Sequence, residues 1–259
     1  MATTPTDRNL IPGNGMFPIQ VAIGAIPGWT VFRKFGMNND VPGTGSEEMW
    51  PPGTARVLPT SAGALSIVSS STADDSAAVG TGCWTITVEG LDSDYADISE
   101  VIELDGQVAV ASVGTDWFRV NRAYAVTAGT GETNAGNISI SIGGALQAYI
   151  EANEGQTHQT QYTVPAGKTL LVTNFNLGIG RMSGSSDAQI SSAIKLFGAN
   201  TAWRVISDIY LYNGETYTND SSVTPIPEKT EIKQIITSTS ATQAFGTWGG
   251  FLIDNSLRT

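Results

Sequence analysis

The stretch TVPAGKTLLVT, Thr163 to Thr173, decides what kind of fold this chain has. Its AGKT matches the end of a phosphate-binding loop, which would put a strand, a glycine-rich loop and a helix in succession. That motif needs G-x-x-x-x-G-K-[ST]. Gly167, Lys168 and Thr169 fit its end, but the first glycine falls at position 162, which is Tyr. The following LLVTNFNLGI is apolar and strand-like, so no helix N-terminus is offered to a phosphate. Pro165 presets a turn φ and Gly167 supplies the permissive one. VPAGK therefore reads as a hairpin turn in a β protein, and no nucleotide or other cofactor is expected.

The same pattern extends in both directions. ALSIVS (Ala64 to Ser69), WTITVEG (Trp84 to Gly90), SEVIEL (Ser99 to Leu104), QVAVAS (Gln107 to Ser112), FRVNRAYAV (Phe118 to Val126) and NISISI (Asn137 to Ile142) alternate in period two. LDGQ, Leu104 to Gln107, carries the Asp-Gly of a hairpin turn. Residues 57–145 therefore predict a first, immunoglobulin-like β-sandwich. Beyond it, LQAYI, TQYTV, TLLVTNFNLGI, AQISSAIKLF, WRVISDIYLY, EIKQIITS and TQAFGTWGGFLID predict a second, jelly-roll-like sandwich over 146–259. SDAQISSAIKLFG is the most helix-tolerant of these segments.

Composition agrees with an all-β chain. The sequence holds 30 Thr, 23 Ser and 29 Gly, and only five Lys; Thr favours pleated backbone and Gly weakens helices. The formal net charge is −11, and ten acidic residues lie between Arg56 and Arg119 with no cation among them. With no basic stripe, nucleic acid is not an expected partner. No run of apolar residues approaches the ~20 of a membrane helix, so no membrane partner is expected either. Cys83 is the only cysteine. It reads as a small buried hydrophobe, and a cysteine-rich metal site is excluded.

Candidate chemistry is thin. His158, the only histidine, sits in the polar EGQTHQTQ and reads as an exposed loop or edge residue. In DSDYADISEVIE, Asp92, Asp94 and Glu103 fall at positions 1, 3 and 12 of a calcium-loop pattern. Ala96 and Asp97 stand where a ligand and a glycine belong, so it reads as an acidic loop entering a strand. Tyr210, Tyr212 and Tyr217 have the rings to stack on sugars, but Tyr210 and Tyr212 share one strand face, which more often means core or interface. Paired carboxylates for glycoside hydrolysis cannot be placed from sequence. Asn137 and Asn219 head chance N-x-[ST] matches. No catalytic, cofactor or metal residue is assigned, and the protein is not expected to be an enzyme.

Residues 1–56 hold most of the eleven prolines together with Trp29, Phe32, Phe35 and Trp50. They read as an extended arm that packs either on its own domains or on a neighbouring subunit. Trp29, Phe32, Phe35 and Trp50 are the expected interface anchors, because buried aromatics dominate interface energy. Arg33 and Lys34 are expected to pair with acidic residues of a partner.

Four segments, VAIGAIPGWTVFRKFGMNNDV (Val21 to Val41), TITVEGLDSDYADISEVIELDGQ (Thr85 to Gln107), YTVPAGKTLLVTNF (Tyr162 to Phe175) and PIPEKTEIK (Pro225 to Lys233), together resemble virion proteins of tailed bacteriophages. The resemblance implies a β-rich particle component in the virion, assembled in the host cytoplasm. The expected function is a capsid decoration (cement) protein that bridges capsomers through the major capsid protein or another virion protein. A homo-oligomer, a trimer, is the expected state. The alternative is a tail, collar-fibre or spike component that binds a host surface glycan.

Overall fold

The computed structural model describes residues 17–180, 187–198, 201–219 and 223–257. A six-residue helix, α1 (Phe17–Ala22), precedes β1 (Trp29–Val41) and β2 (Ser46–Glu48). The middle of the chain forms β3 (Leu65–Ser69), β4 (Cys83–Asp92), β5 (Asp97–Glu103), β6 (Val110–Ala111), β7 (Trp117–Ala128), β8 (Ile138–Ile142) and β9 (Ala145–Ile150). The last part forms β10 (Tyr162–Thr163), β11 (Lys168–Gly180), β12 (Asp187–Lys195), β13 (Arg204–Tyr212), β14 (Thr216–Asn219), β15 (Thr224–Ile226), β16 (Glu231–Ser238) and β17 (Thr242–Asp254).

These strands make four small sheets, antiparallel throughout. Two lie in the middle of the chain, in the orders β6-β3-β8-β9 and β5-β4-β7. Two more have the orders β1-β17-β11-β14, with β15 also on β11, and β10-β16-β12-β13, with β2 also on β16. Period-two patterning explains the burial. In β8 the isoleucines of Ile-Ser-Ile-Ser-Ile are buried and the serines are half-exposed. One apolar cluster draws Ile67, Ile138 and Ile140 from one middle sheet and Ile86, Val88 and Val120 from the other. A second draws Phe32, Leu177 and Trp248 from the β1 sheet and Ile190, Ile232 and Ile236 from the β16 sheet.

From Trp29 to Glu48 the N-terminal segment lies against the chain's own sheets, the first of the two placements open to the arm. β1 pairs with β17 from Trp29↔Ile253 to Val41↔Thr242, and β2 pairs with β16. The alternation of β1 was hidden because glycine, asparagine and lysine occupy inward positions of a 13-residue strand. The segment 1–16 lies outside the described residues.

The boundary expected at 145/146 also moves. β9 pairs with β8 from Ile138↔Ile150 to Ile142↔Ala145, so the middle sheets extend to Ile150. Gly143 and Gly144, at φ 56° and 81°, form the two-residue turn of that hairpin.

Both predicted hairpin turns are turns, but neither makes a hairpin. At Pro165–Lys168 the Lys168 N–H donates to the Pro165 carbonyl at 3.3 Å and Gly167 has φ 73°. The flanking strands diverge, β10 pairing with β16 and β11 with β17. At Asp105–Val108 the Val108 N–H donates to the Asp105 carbonyl at 2.9 Å, and β5 and β6 likewise belong to different sheets. SDAQISSAIKLFG is a strand from Asp187 to Lys195.

Candidate functional site

Five of the six expected anchors lie on β1 and divide by its alternation; Trp50 follows β2. Phe32 faces the second apolar cluster and stacks edge-on against Tyr162 at 4.8 Å. Lys34 is 6% exposed and donates to the Asn121 carbonyl. Trp50 is 1% exposed and its indole N–H donates to the Thr54 carbonyl at 2.7 Å. These three side chains make their contacts within the chain. Trp29 is half-buried against Phe17 and Phe251, Phe35 is half-buried on His158, and Arg33 is exposed.

A polar seam joins the middle sheets to the rest. Arg119 of β7 donates from Nε to Glu231 Oε1 of β16 at 2.6 Å, and Arg56 approaches Glu231 Oε2 at 3.7 Å. Thr163 donates its hydroxyl to Glu231 Oε2 at 2.5 Å. Asn121 closes both backbone bonds of Thr163, donating to its carbonyl at 3.0 Å and accepting from its N–H at 2.9 Å. Glu48 pairs with Lys233 at 2.6 Å and accepts from Gln161 at 2.8 Å. Burial pulls the Arg56 guanidinium below its ordinary pKa, against the opposing charges of Glu231 and Glu48. The seam ties β7 to β16 and to Thr163 of β10.

The remaining sequence candidates fall into structural roles. His158 is not an exposed loop residue: its side chain is 12% exposed, stacks on Phe35 and lies 3.7 Å from Glu154. Asp92 Oδ1 accepts from the N–H groups of Asp94 and Ala96, both at 2.9 Å, which shapes a turn. Among the described residues no group of three or more His, Cys, Asp or Glu could hold a metal ion. Burial pushes the Cys83 thiol up to about 12. Tyr217 packs against Phe175 at the edge of the core. The Asn137 side chain accepts from the Ala152 N–H at 2.9 Å; that of Asn219 lies outside the described residues.

What sequence reasoning missed is the surface of β13. Among the described residues this strand ends its sheet, bonded to β12 on one side only. Val205, Ile206, Tyr210 and Tyr212 are exposed, with Trp203 just before them. A bulge pairs Ser192 with Ser207 and Ala193 with Val205, which leaves Ile206 without a cross-strand partner. Tyr210 and Tyr212 do share one face, as their spacing required, and that face is solvent rather than core. The signal available was WRVISDIYLY itself, too apolar for a solvated edge.

No family model matches the chain, and no curated protein matches it either. Among solved structures, similarity extends to the N-terminal CBM22 tandem domain of Xyn10C from Paenibacillus barcinonensis. It has 12% identity, covers 88% of this chain and 93% of that one, and has a TM-score of 0.23. The infectious bursal disease virus Gt strain structure has 13% identity, covers 93% of this chain and 78% of that one, and has a TM-score of 0.15. The VP2 subviral particle of the same virus has 12% identity, covers 88% and 72%, and has a TM-score of 0.16. TM-scores this low carry no argument about function.

Proposed function

We propose that this chain is a non-enzymatic virion structural protein, a capsid decoration protein of a tailed phage, whose two pairs of sheets pack as two β-sandwiches. The observation that carries the reading is the free edge of β13 with Val205, Ile206, Tyr210 and Tyr212 exposed along it. A free, apolar strand edge is a template for pairing with another chain. Natural soluble proteins shield such edges, so this one fits a protein that works in an assembly. The partner is a neighbouring shell subunit, and many modest edge contacts multiplied on a lattice hold the protein in place. A net charge of −11 fits a protein partner better than a nucleic acid.

The test is the copy number of the chain in purified particles, measured by quantitative mass spectrometry against the major capsid protein. One copy per capsid subunit, or one per three, supports decoration. A few per hundred moves the protein to the tail, where the solvent-facing Tyr210 and Tyr212 favour a second reading as a glycan-binding fibre or spike module. Absence from particles overturns both.

A further inference from the structure

A recess of about 210 Å³ opens beside β1, lined by Arg33, Lys34, Phe35, Arg122 and Thr157. Three of those five residues are cations and none is acidic, in a chain with 13 Lys and Arg against 24 Asp and Glu. Among the described residues the other buried cations, Arg56 and Arg119, share the Glu231 carboxylate, and the partly buried Lys233 has the Glu48 carboxylate. Lys34 has none within ion-pair distance among the described residues. Among the described residues its ammonium has only the Asn121 carbonyl as hydrogen-bond partner. A buried charge without a counter-ion is strongly unfavourable unless something supplies one. Burial, reinforced by the charges of Arg56 and Arg122, holds the Lys34 pKa well below the ordinary lysine value, with Glu89 opposing.

Glu89 does not fill the gap. Its Oε1 accepts from the Tyr124 hydroxyl at 3.3 Å, and it lines a different recess, beside Asp97 and Tyr162. Arg122 lies over the Tyr124 ring at 4.6 Å and donates to Gln156 at 3.4 Å; Glu89 is its cross-strand neighbour, and among the described residues no carboxylate comes within ion-pair distance of it. The backbone adds donors. The Met37 N–H points away from β17 and donates to the His158 carbonyl at 3.4 Å. Strand alternation aims the N–H groups of Phe35 and Arg33 to that same side. Arg33 and Phe35 also line an adjoining groove of about 460 Å³ with Met37, His158 and Phe245. An apolar shelf therefore borders a cationic recess.

We propose that this recess binds the acidic group of an anionic saccharide, with Arg33, Lys34 and Arg122 holding the oxyanion and the sugar ring lying on Phe35. The ligand supplies the countercharge that Lys34 lacks. The guanidinium forks of Arg33 and Arg122 suit a carboxylate. The flat ring of Phe35 suits the C–H face of a pyranose, in the usual mix of apolar walls and a few placed polar groups.

Titration calorimetry with glucuronate, sulfate and glucose tests this. Saturable glucuronate binding is expected, with no glucose binding. The double variant Arg33→Gln/Arg122→Gln changes two exposed side chains and keeps the fold; it is expected to weaken glucuronate at least tenfold. Phe35→Ala is expected to weaken glucuronate and leave sulfate unchanged, while Lys195→Gln changes neither. The proposal is overturned if intact protein shows no saturable glucuronate binding, or if the double variant binds as well as the parent. Sulfate binding without glucuronate binding overturns the saccharide assignment. These outcomes do not depend on the copy number of the chain in particles.

Discussion

Arg119 Nε sits 2.6 Å from Glu231 Oε1, with both side chains 6% exposed, so one buried ion pair ties β7 to β16 across the seam. Glu231→Ala leaves two buried guanidiniums, Arg119 and Arg56, without their shared carboxylate. Breaking one side of a buried pair costs about 3–5 kcal/mol. The expected outcome is a loss of that much unfolding free energy in urea titrations, with loss of the Thr163 and Asn121 contacts visible in amide exchange.

Gly250 faces the backbone of β11. A Cβ there would lie 1.9 Å from the Leu171 carbonyl oxygen, closer than any real contact allows. Gly250→Ala is expected to prevent β17 from pairing next to the β11 bulge between Val172 and Asn174. Insoluble expression, against soluble Gly63→Ala as control (an added Cβ there meets only Ile142 at 3.8 Å, an ordinary contact), checks it.

Cys83 is buried, and its raised pKa of about 12 keeps it a neutral thiol at pH 8. The thiolate is the reactive species. Native protein is expected to resist a thiol-reactive dye at pH 8, and urea-unfolded protein to react with one equivalent. Fast labelling of the native chain would contradict the burial.

Asp97 is exposed at its surface, yet partial desolvation by its neighbours raises its pKa, with Lys168 opposing and Asp92 and Glu89 adding to it. The native state therefore holds this proton more tightly than the unfolded chain. The carboxyl carries no penalty at pH below its ordinary value, and the penalty appears as pH rises through the raised value. Asp97→Asn is expected to leave the melting temperature unchanged near pH 3 and to raise it modestly at pH 7.

Ile206→Lys places a charge on the free edge of β13, the device natural sheets use to block edge pairing. Monomer stability is expected to stay within about 0.5 kcal/mol, as for other exposed positions. Particle occupancy is expected to fall. Unchanged occupancy would separate β13 from assembly.

Strands with strict period-two patterning were legible in the sequence: β8, β16 and β17 lie where the alternation put them. The partners of each strand were not. Turn chemistry at Pro165–Lys168 and Asp105–Val108 fixes a local reversal, but whether the next strand returns beside its predecessor or crosses to another sheet depends on long-range packing. β1 escaped notice because Lys34, Gly36 and Asn38 occupy inward positions, where a polar seam rather than an apolar core awaits them. For the same reason the cationic recess was illegible. Arg33 and Lys34 are adjacent in sequence, whereas Arg122 arrives from β7 only after folding.

The pairing of β1 with β17 has a consequence during synthesis. The middle sheets use only residues 65–150, so their cluster can close while the ribosome is still adding the C-terminal strands. The β1 sheet cannot close then. Its first strand must wait for Thr242–Asp254, more than 200 residues later. Until then it presents an unpaired edge, and long-range pairing of this kind is intrinsically slow. A nascent chain stalled before residue 242 is expected to show a protease-resistant middle and sensitive flanks, and to aggregate through β1 unless a chaperone holds it.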